Sequence, residues 1–210
     1  SNGSVSANIG NDSRANGNVR FNYNPGDFTL FGSYSLRADN RNRINTDTRT
    51  QIDAASTLSY YNEEQYSYAN PLSHSVSLGA EYTIDPANSL GLSGNYFHNG
   101  FIRTEKSTKT VQNALAVVTD TYGRNRWDDE YEDEYGLKFF AEHKFEKKDH
   151  KVRLEFSNSK APEVEDNHYT DLYWFPTAPN QYDNTLINQT EEQNELTLDY
   201  SDPLSEESTL

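Results

Sequence analysis

Three consecutive aromatic residues, Tyr173, Trp174 and Phe175, sit in the polar stretch TDLYWFPTAPNQY (170–182). Exposed rings of this kind can stack on sugars or other ligands, and the same rings can equally pack a loop against its neighbours. A second stretch, WDDEYEDEY (127–135), carries enough carboxylates to hold a hard cation, yet it lacks the Asp and Gly spacing of an EF-hand loop. A solvated acidic loop is the expected reading, because like charges repel and stay wet. Tyr60, Tyr61, Tyr66 and Tyr68 are expected on an extended strand rather than on a binding platform. The five histidines, at 74, 98, 143, 150 and 168, form neither an i,i+4 pair nor an HExxH motif. His98 and His143 fall near the ends of an apolar face, where an amphipathic ring at an interface is expected rather than a metal ligand. With 33 acidic residues, pairs of carboxylates are too common to single out a glycosidase pair. No GxSxG, P-loop or GxGxxG context appears. The expectation is a chain without catalytic activity, cofactor or metal.

These residues must be carried by an unusual framework. Of 210 residues only 33% are hydrophobic, and the mean hydropathy is −0.96, yet aromatics reach 13%. So polar a chain with a net charge of −15 has the composition of disorder, but regular alternation and 15 tyrosines argue against it. The acidic balance excludes a nucleic-acid partner, whose phosphates call for Lys and Arg. The absence of Cys removes disulfides and thiolate chemistry. No apolar run is long enough for a membrane helix, which leaves two classes: a soluble protein, or one that crosses a membrane as strands. The Ser-Asn-Gly start and the Ser-Thr-Leu end suggest an excised piece.

The clearest element is a hairpin within His74–Phe101. Val76, Leu78, Ala80, Tyr82 and Ile84 alternate with polar residues, DPANS (85–89) turns the chain, and Leu90, Leu92, Gly94 and Tyr96 resume the pattern. The same pattern recurs around NPGD (24–27), around EKKDH (146–150) and before a fourth turn at Ser201–Glu207. Val5, Ala7 and Ile9 begin the series, followed by the short loop GNDSRANG (10–17). Between the short turns lie long polar excursions, 37–68, 102–135 and 157–185, which are expected as loops, with a short strand or helical turn at 113–118 in the second. Short turns at one end and long loops at the other are the asymmetry of an outer-membrane barrel. Tyr23, Tyr82, Phe145 and Tyr200 precede the short turns, and Tyr34, Tyr96 and Tyr135 stand at the far end of the apolar runs, as two aromatic girdles would. Asn158 and Lys160, with Asn194 and Glu192, break the pattern. Either the register shifts there at a bulge or those strands cross near their polar ends.

Stretches such as NGNVRFNYNPGDFTLFGSYSLR (16–37) resemble the barrel region of TonB-dependent outer-membrane receptors, particularly the Bacteroidota type, in texture along nearly the whole chain. The resemblance implies an all-β, antiparallel, up-and-down transmembrane β-barrel segment of about eight strands. Residues 1–210 would be a partial barrel domain, a fragment of a larger receptor of about twenty-two strands with no plug in this sequence. It implies the bacterial outer membrane as location and import of a nutrient ligand as function. The implied partners are membrane lipid, the remaining barrel and plug, a TonB-type energy transducer reached through segments not present here, and an unknown ligand touching Tyr173, Trp174 and Phe175. The alternative is a soluble secreted β-rich binding module, a sandwich with aromatic loops.

Overall fold

A computed structural model describes residues 1–205, 208 and 209. The chain is all-β and antiparallel, as expected. Ten strands form one sheet: β1 (Asn2–Ile9), β2 (Ala15–Tyr23), β3 (Phe28–Ala38), β4 (Arg41–Ile52), β5 (Leu58–Ala69), β6 (Leu72–Thr83), β7 (Asn88–Asn113), β8 (Val118–Lys144), β9 (Lys151–Phe175) and β10 (Thr177–Ser201). A separate short pair, β11 (Pro203–Ser205) with β12 (Ser208–Thr209), follows. Of the fourth short turn, Glu206 and Glu207 lie outside the described residues, and so does Leu210.

The ten strands make eight crossings, because two pairs run on in one direction. β3 continues into β4 across Asp39 and Asn40, while β5 continues into β6 across Asn70 and Pro71. Proline has no N–H for the ladder and interrupts it. The break is bridged from both sides, by Asp39 N–H donating to Pro71 O at 2.9 Å and Asn70 N–H to Ile102 O at 3.3 Å. The eight crossings therefore follow chain order, although strand by strand β3 pairs with β6 and β5 with β7. The sheet is open, since among the described residues β1 pairs only with β2 and β10 only with β9.

The long excursions are not loops. They are the outer arms of hairpins: β7, of 26 residues, spans about 85 Å at the usual rise. Tight turns close the far end too. Asp53 Oδ1 accepts the Ala55 and Thr57 N–H groups at 2.8 Å each, and Asn113 Oδ1 accepts those of Leu115 and Val117 at 3.0 and 3.1 Å. Residues 113–118 are thus a hairpin tip. The sequence pattern concealed these arms because both of their faces are polar, so alternation there carries no apolar contrast.

Below the Asp39–Pro71 break the two faces differ sharply. Antiparallel partners share a face. One row across the sheet reads Leu30, Ala80, Leu92, Phe139, Phe156, Leu196, and the next reads Phe28, Tyr82, Leu90, Ala141, Leu154, Leu198. A row on the opposite face reads Ser33, Ser77, Asn95, Gly136, Ser159, Gln193. Rings gather at both margins of the apolar band. Tyr96 and Tyr135 lie 5.2 Å apart at the upper margin, and Phe28 and Tyr82 lie 6.3 Å apart at the lower one. A stack of His143, Phe145, His150 and Tyr200 runs on from the lower margin with centroid spacings of 4.6, 4.0 and 5.5 Å.

The band crosses the sheet obliquely. Its upper margin falls from Ile9, Ala38 and Leu72, level with Gly100 on β7, to Phe156 and Leu196, level with Leu92. Its lower margin falls in the same direction but less steeply, from Tyr23 at the level of Leu92 to Tyr200 at the level of Asn88. At the upper margin this is about one residue per strand-to-strand step, so ~3.3 Å of drift for every ~4.8 Å of spacing, a slope of about 35°. The drift resolves the misfit on β9 and β10. No bulge interrupts the ladders at these residues; the band has already ended below them. Lys160 faces Glu192 across the ladder, and Asn158 Nδ2 donates to Asn194 Oδ1 at 2.8 Å.

Among the described residues no Ala, Val, Leu, Ile, Phe, Tyr or Trp is buried. The accessible surface is 14342 Å² at a mass of 24.0 kDa, where a globular monomer would have about 9,900 Å². Leu78, Leu92, Leu196 and Leu198 are 54%, 52%, 70% and 68% exposed on the banded face.

Candidate functional site

Above the break, the face continuous with the polar rows becomes a mosaic of charges and rings contributed by every second residue of β4, β5, β7, β8, β9 and β10. Its centre is Asp128, which is fully buried. Arg126 Nε donates to Asp128 Oδ1 at 2.7 Å, and Arg126 Nη2 donates to Asn167 Oδ1 at 3.1 Å. Asp128 Oδ2 makes no hydrogen bond and faces Arg103 at 3.5 Å. Burial raises the Glu130 carboxyl against the pull of Arg103. The Tyr169 ring carries both Arg124 and Arg126, at 5.3 and 5.4 Å from its centroid.

Towards the hairpin tips, Arg124 grips Asp171 with two hydrogen bonds, from Nε at 2.6 Å and Nη2 at 2.8 Å. That grip holds the Asp171 carboxyl below its ordinary value, against desolvation. A depressed folded pKa means stability that is present above the ordinary carboxylate range and lost as pH falls through the folded value. A carboxyl-carbon NMR titration should place the Asp171 midpoint below ~3.9, returning towards it in Arg124→Gln. An unshifted midpoint in the parent chain would show that the fork does not persist in solution.

Beside this pair opens a cavity of about 500 Å³, lined by Lys109, Asp120, Tyr122, Arg124, Asp171, Tyr173 and Phe175 among others. Two of the three aromatic residues singled out from sequence thus come together. Tyr173 stands opposite Tyr122 across the ladder, and Phe175 closes the wall. Trp174 is turned to the other face, over Gly123, where a Cβ would lie 2.7 Å from the indole and 2.4 Å from Ser107 O. Only glycine lets the ring settle there. The cluster lies at the end of β9 rather than within a loop, and alternation along a strand separates neighbours.

The acidic stretch 127–135 is likewise strand, within β8, and not a solvated loop. Alternation puts Asp128, Glu130, Glu132 and Glu134 on the polar face, where Arg103 and Arg126 meet the first two. Trp127 turns the other way, 5.2 Å from His168. The tyrosines at 60, 61, 66 and 68 lie on β5, an extended strand as expected. His74 and His98, 6.0 Å apart, sit at the band's upper margin with Tyr34 and Asp133 as partners. His143 and His150 belong to the stack at the lower margin.

Sequence reasoning missed Lys109, Tyr122, Arg124 and Asp171. No periodic signal marked them, because both faces of 103–110 are polar, with Lys106 among the threonines and Ser107 among the charged residues. The assembled chemistry is that of recognition, with rings to stack on and fixed forks of donors and acceptors. The chain matches no family model and no curated protein.

Proposed function

We propose that this chain is part of the barrel of an outer-membrane receptor of the TonB-dependent type, whose banded face meets lipid and whose polar upper face meets an imported nutrient ligand. The carrying observation is the oblique apolar band. It is exposed and flanked by rings, and its upper margin slopes at about the 35–45° by which strands tilt in a membrane barrel. From Asn88 to Tyr96 it spans nine positions of β7, the number that a tilted strand needs to cross a bilayer. A soluble sandwich would bury such a face against a second sheet, and among the described residues no large apolar side chain is buried.

On the polar side of the band, Glu142 draws Lys144, Lys151 and Arg153 within 3.7 Å, and Lys138 pairs with Glu155 at 2.6 Å. A wetted lumen filled by a plug would present such groups. The rest of the barrel would pair with the free edges of β1 and β10, and a TonB-type transducer would act through segments beyond this chain.

Protease treatment of the chain reconstituted in lipid vesicles tests the reading. Segments 28–36, 76–84, 88–96 and 135–143 should survive together, while the arms beyond them are cut. A chain that is folded and monomeric in plain buffer would overturn the proposal and favour a soluble binding module.

A further inference from the structure

We propose that the upper polar face holds a binding site for a small oxyanion, the carboxylate or phosphate group of a ligand, between Arg41, Arg43 and Arg103. The site lies outside the band and above it, so it stands whether or not the band meets lipid. Two adjacent rows of the ladder build it. One row places Arg41, Ala69 and Arg103 side by side, and the next places Arg43, Ser67 and Glu105. The short side chains of Ala69 and Ser67 leave a gap between longer ones, two strand spacings or ~10 Å wide at the backbone. That gap is a cavity of about 320 Å³, closed below by Pro71 and Phe101.

The donors around it are underused. A guanidinium offers five N–H groups. Among the described residues, Arg43 makes no hydrogen bond or ion pair, and Arg41 makes one hydrogen bond, from Nε to Asp39 at 3.1 Å. Asp39 is already shared with Arg14 at 2.8 Å and Arg37 at 3.5 Å. Arg103 lies 3.5 Å from Asp128 and 3.8 Å from Glu130, ion pairs without a hydrogen bond, and rests against the Phe101 ring at 4.8 Å. The cavity's own carboxylate does not compensate. Glu105 is engaged by Ser67 Oγ at 3.1 Å, Gln65 Nε2 at 3.2 Å and Arg126 at 3.9 Å.

Three cations and one occupied carboxylate line the gap in a chain of net charge −15, and although Arg41 and Arg103 share the flanking Asp39, Asp128 and Glu130, Arg43 has no partner among the described residues. Such a spot repels extended polyanions at its acidic borders and accepts one compact anionic group, which Arg can hold in a fork.

The test is calorimetric titration of the full chain, folded in detergent micelles, with inorganic phosphate and, separately, with citrate. Saturable one-site binding of either is expected, and which of the two binds tells the tetrahedral from the planar group. Arg43→Gln should weaken it about tenfold or more, the worth of one charge-assisted hydrogen bond. Arg49→Gln, which removes the same charge on the same face nearer the tip, should change it less than about twofold by the fall of Coulomb attraction with distance. Ala69→Leu fills the gap without touching a charge and should abolish binding. Absence of saturable binding below ~10 mM, a free energy weaker than about −3 kcal/mol, would overturn the proposal. So would equal losses in Arg43→Gln and Arg49→Gln, or unchanged binding in Ala69→Leu.

Discussion

Leu78→Arg is expected to prevent assembly into lipid, while Ser77→Arg, one residue away, is expected to be tolerated. Leu78 lies in the middle of the band, 54% exposed, between Gly32 and Gly94 on the flanking strands. A charge at mid-bilayer on the lipid side costs about 2–4 kcal/mol, a large share of the stability of a single domain. Ser77 points to the other face, in a row with Ser33 and Asn95, where an added guanidinium stays wet. The measurement is the folded fraction of each variant in vesicles across a urea series. Equal losses on the two faces would mean that the band does not contact lipid.

The second large effect is expected at Asp128. Asp128→Ala removes the fully buried carboxylate between Arg126 and Arg103 and leaves these half-buried guanidiniums only the longer pairs to Glu130 and Glu105, at 3.6 to 3.9 Å. Breaking a buried pair by deleting one partner costs about 3–5 kcal/mol. Glu191→Ala, on the exposed edge strand, should stay within ~0.5 kcal/mol of the parent. Equilibrium unfolding of both variants under one condition decides it. A loss below ~1 kcal/mol at Asp128 would show that water reaches the two arginines and that the cluster does not hold the upper sheet together.

The lower half of the sheet was legible because its alternation has contrast. Val76, Leu78, Ala80 and Tyr82 against Ser75, Ser77, Gly79 and Glu81 specify a strand, a face and a register at once. The aromatic margins at Tyr34, Tyr96 and Tyr135 could be read from their spacing alone. Above the break the same geometry is written in Thr, Glu, Lys and Arg on both faces, so a period of two has nothing to contrast. Residues 102–135 therefore read as a loop although, apart from the tip at 114–117 and the skipped Thr119, they are paired through backbone groups that side-chain polarity does not report. The error propagated to the aromatic cluster. In a loop Tyr173, Trp174 and Phe175 could all face one ligand, whereas on a strand the indole must part from its neighbours. The partners that complete the cavity, Lys109 and Arg124, come from strands brought alongside only by pairing across the sheet.

Each of the eight crossings of the main sheet pairs with the crossing next to it in the chain, and each turn that links two crossings is only a few residues long. The closure entropy of each new hairpin is therefore small, for a sheet whose arms reach about 85 Å. Contacts form locally and propagate arm by arm, each strand templating the next, without waiting for a remote segment to return. Energetically the molecule is close to one-dimensional. Its stability is a sum over neighbouring pairs, as in a stacked repeat, and a defect in one strand weakens the two beside it and little beyond.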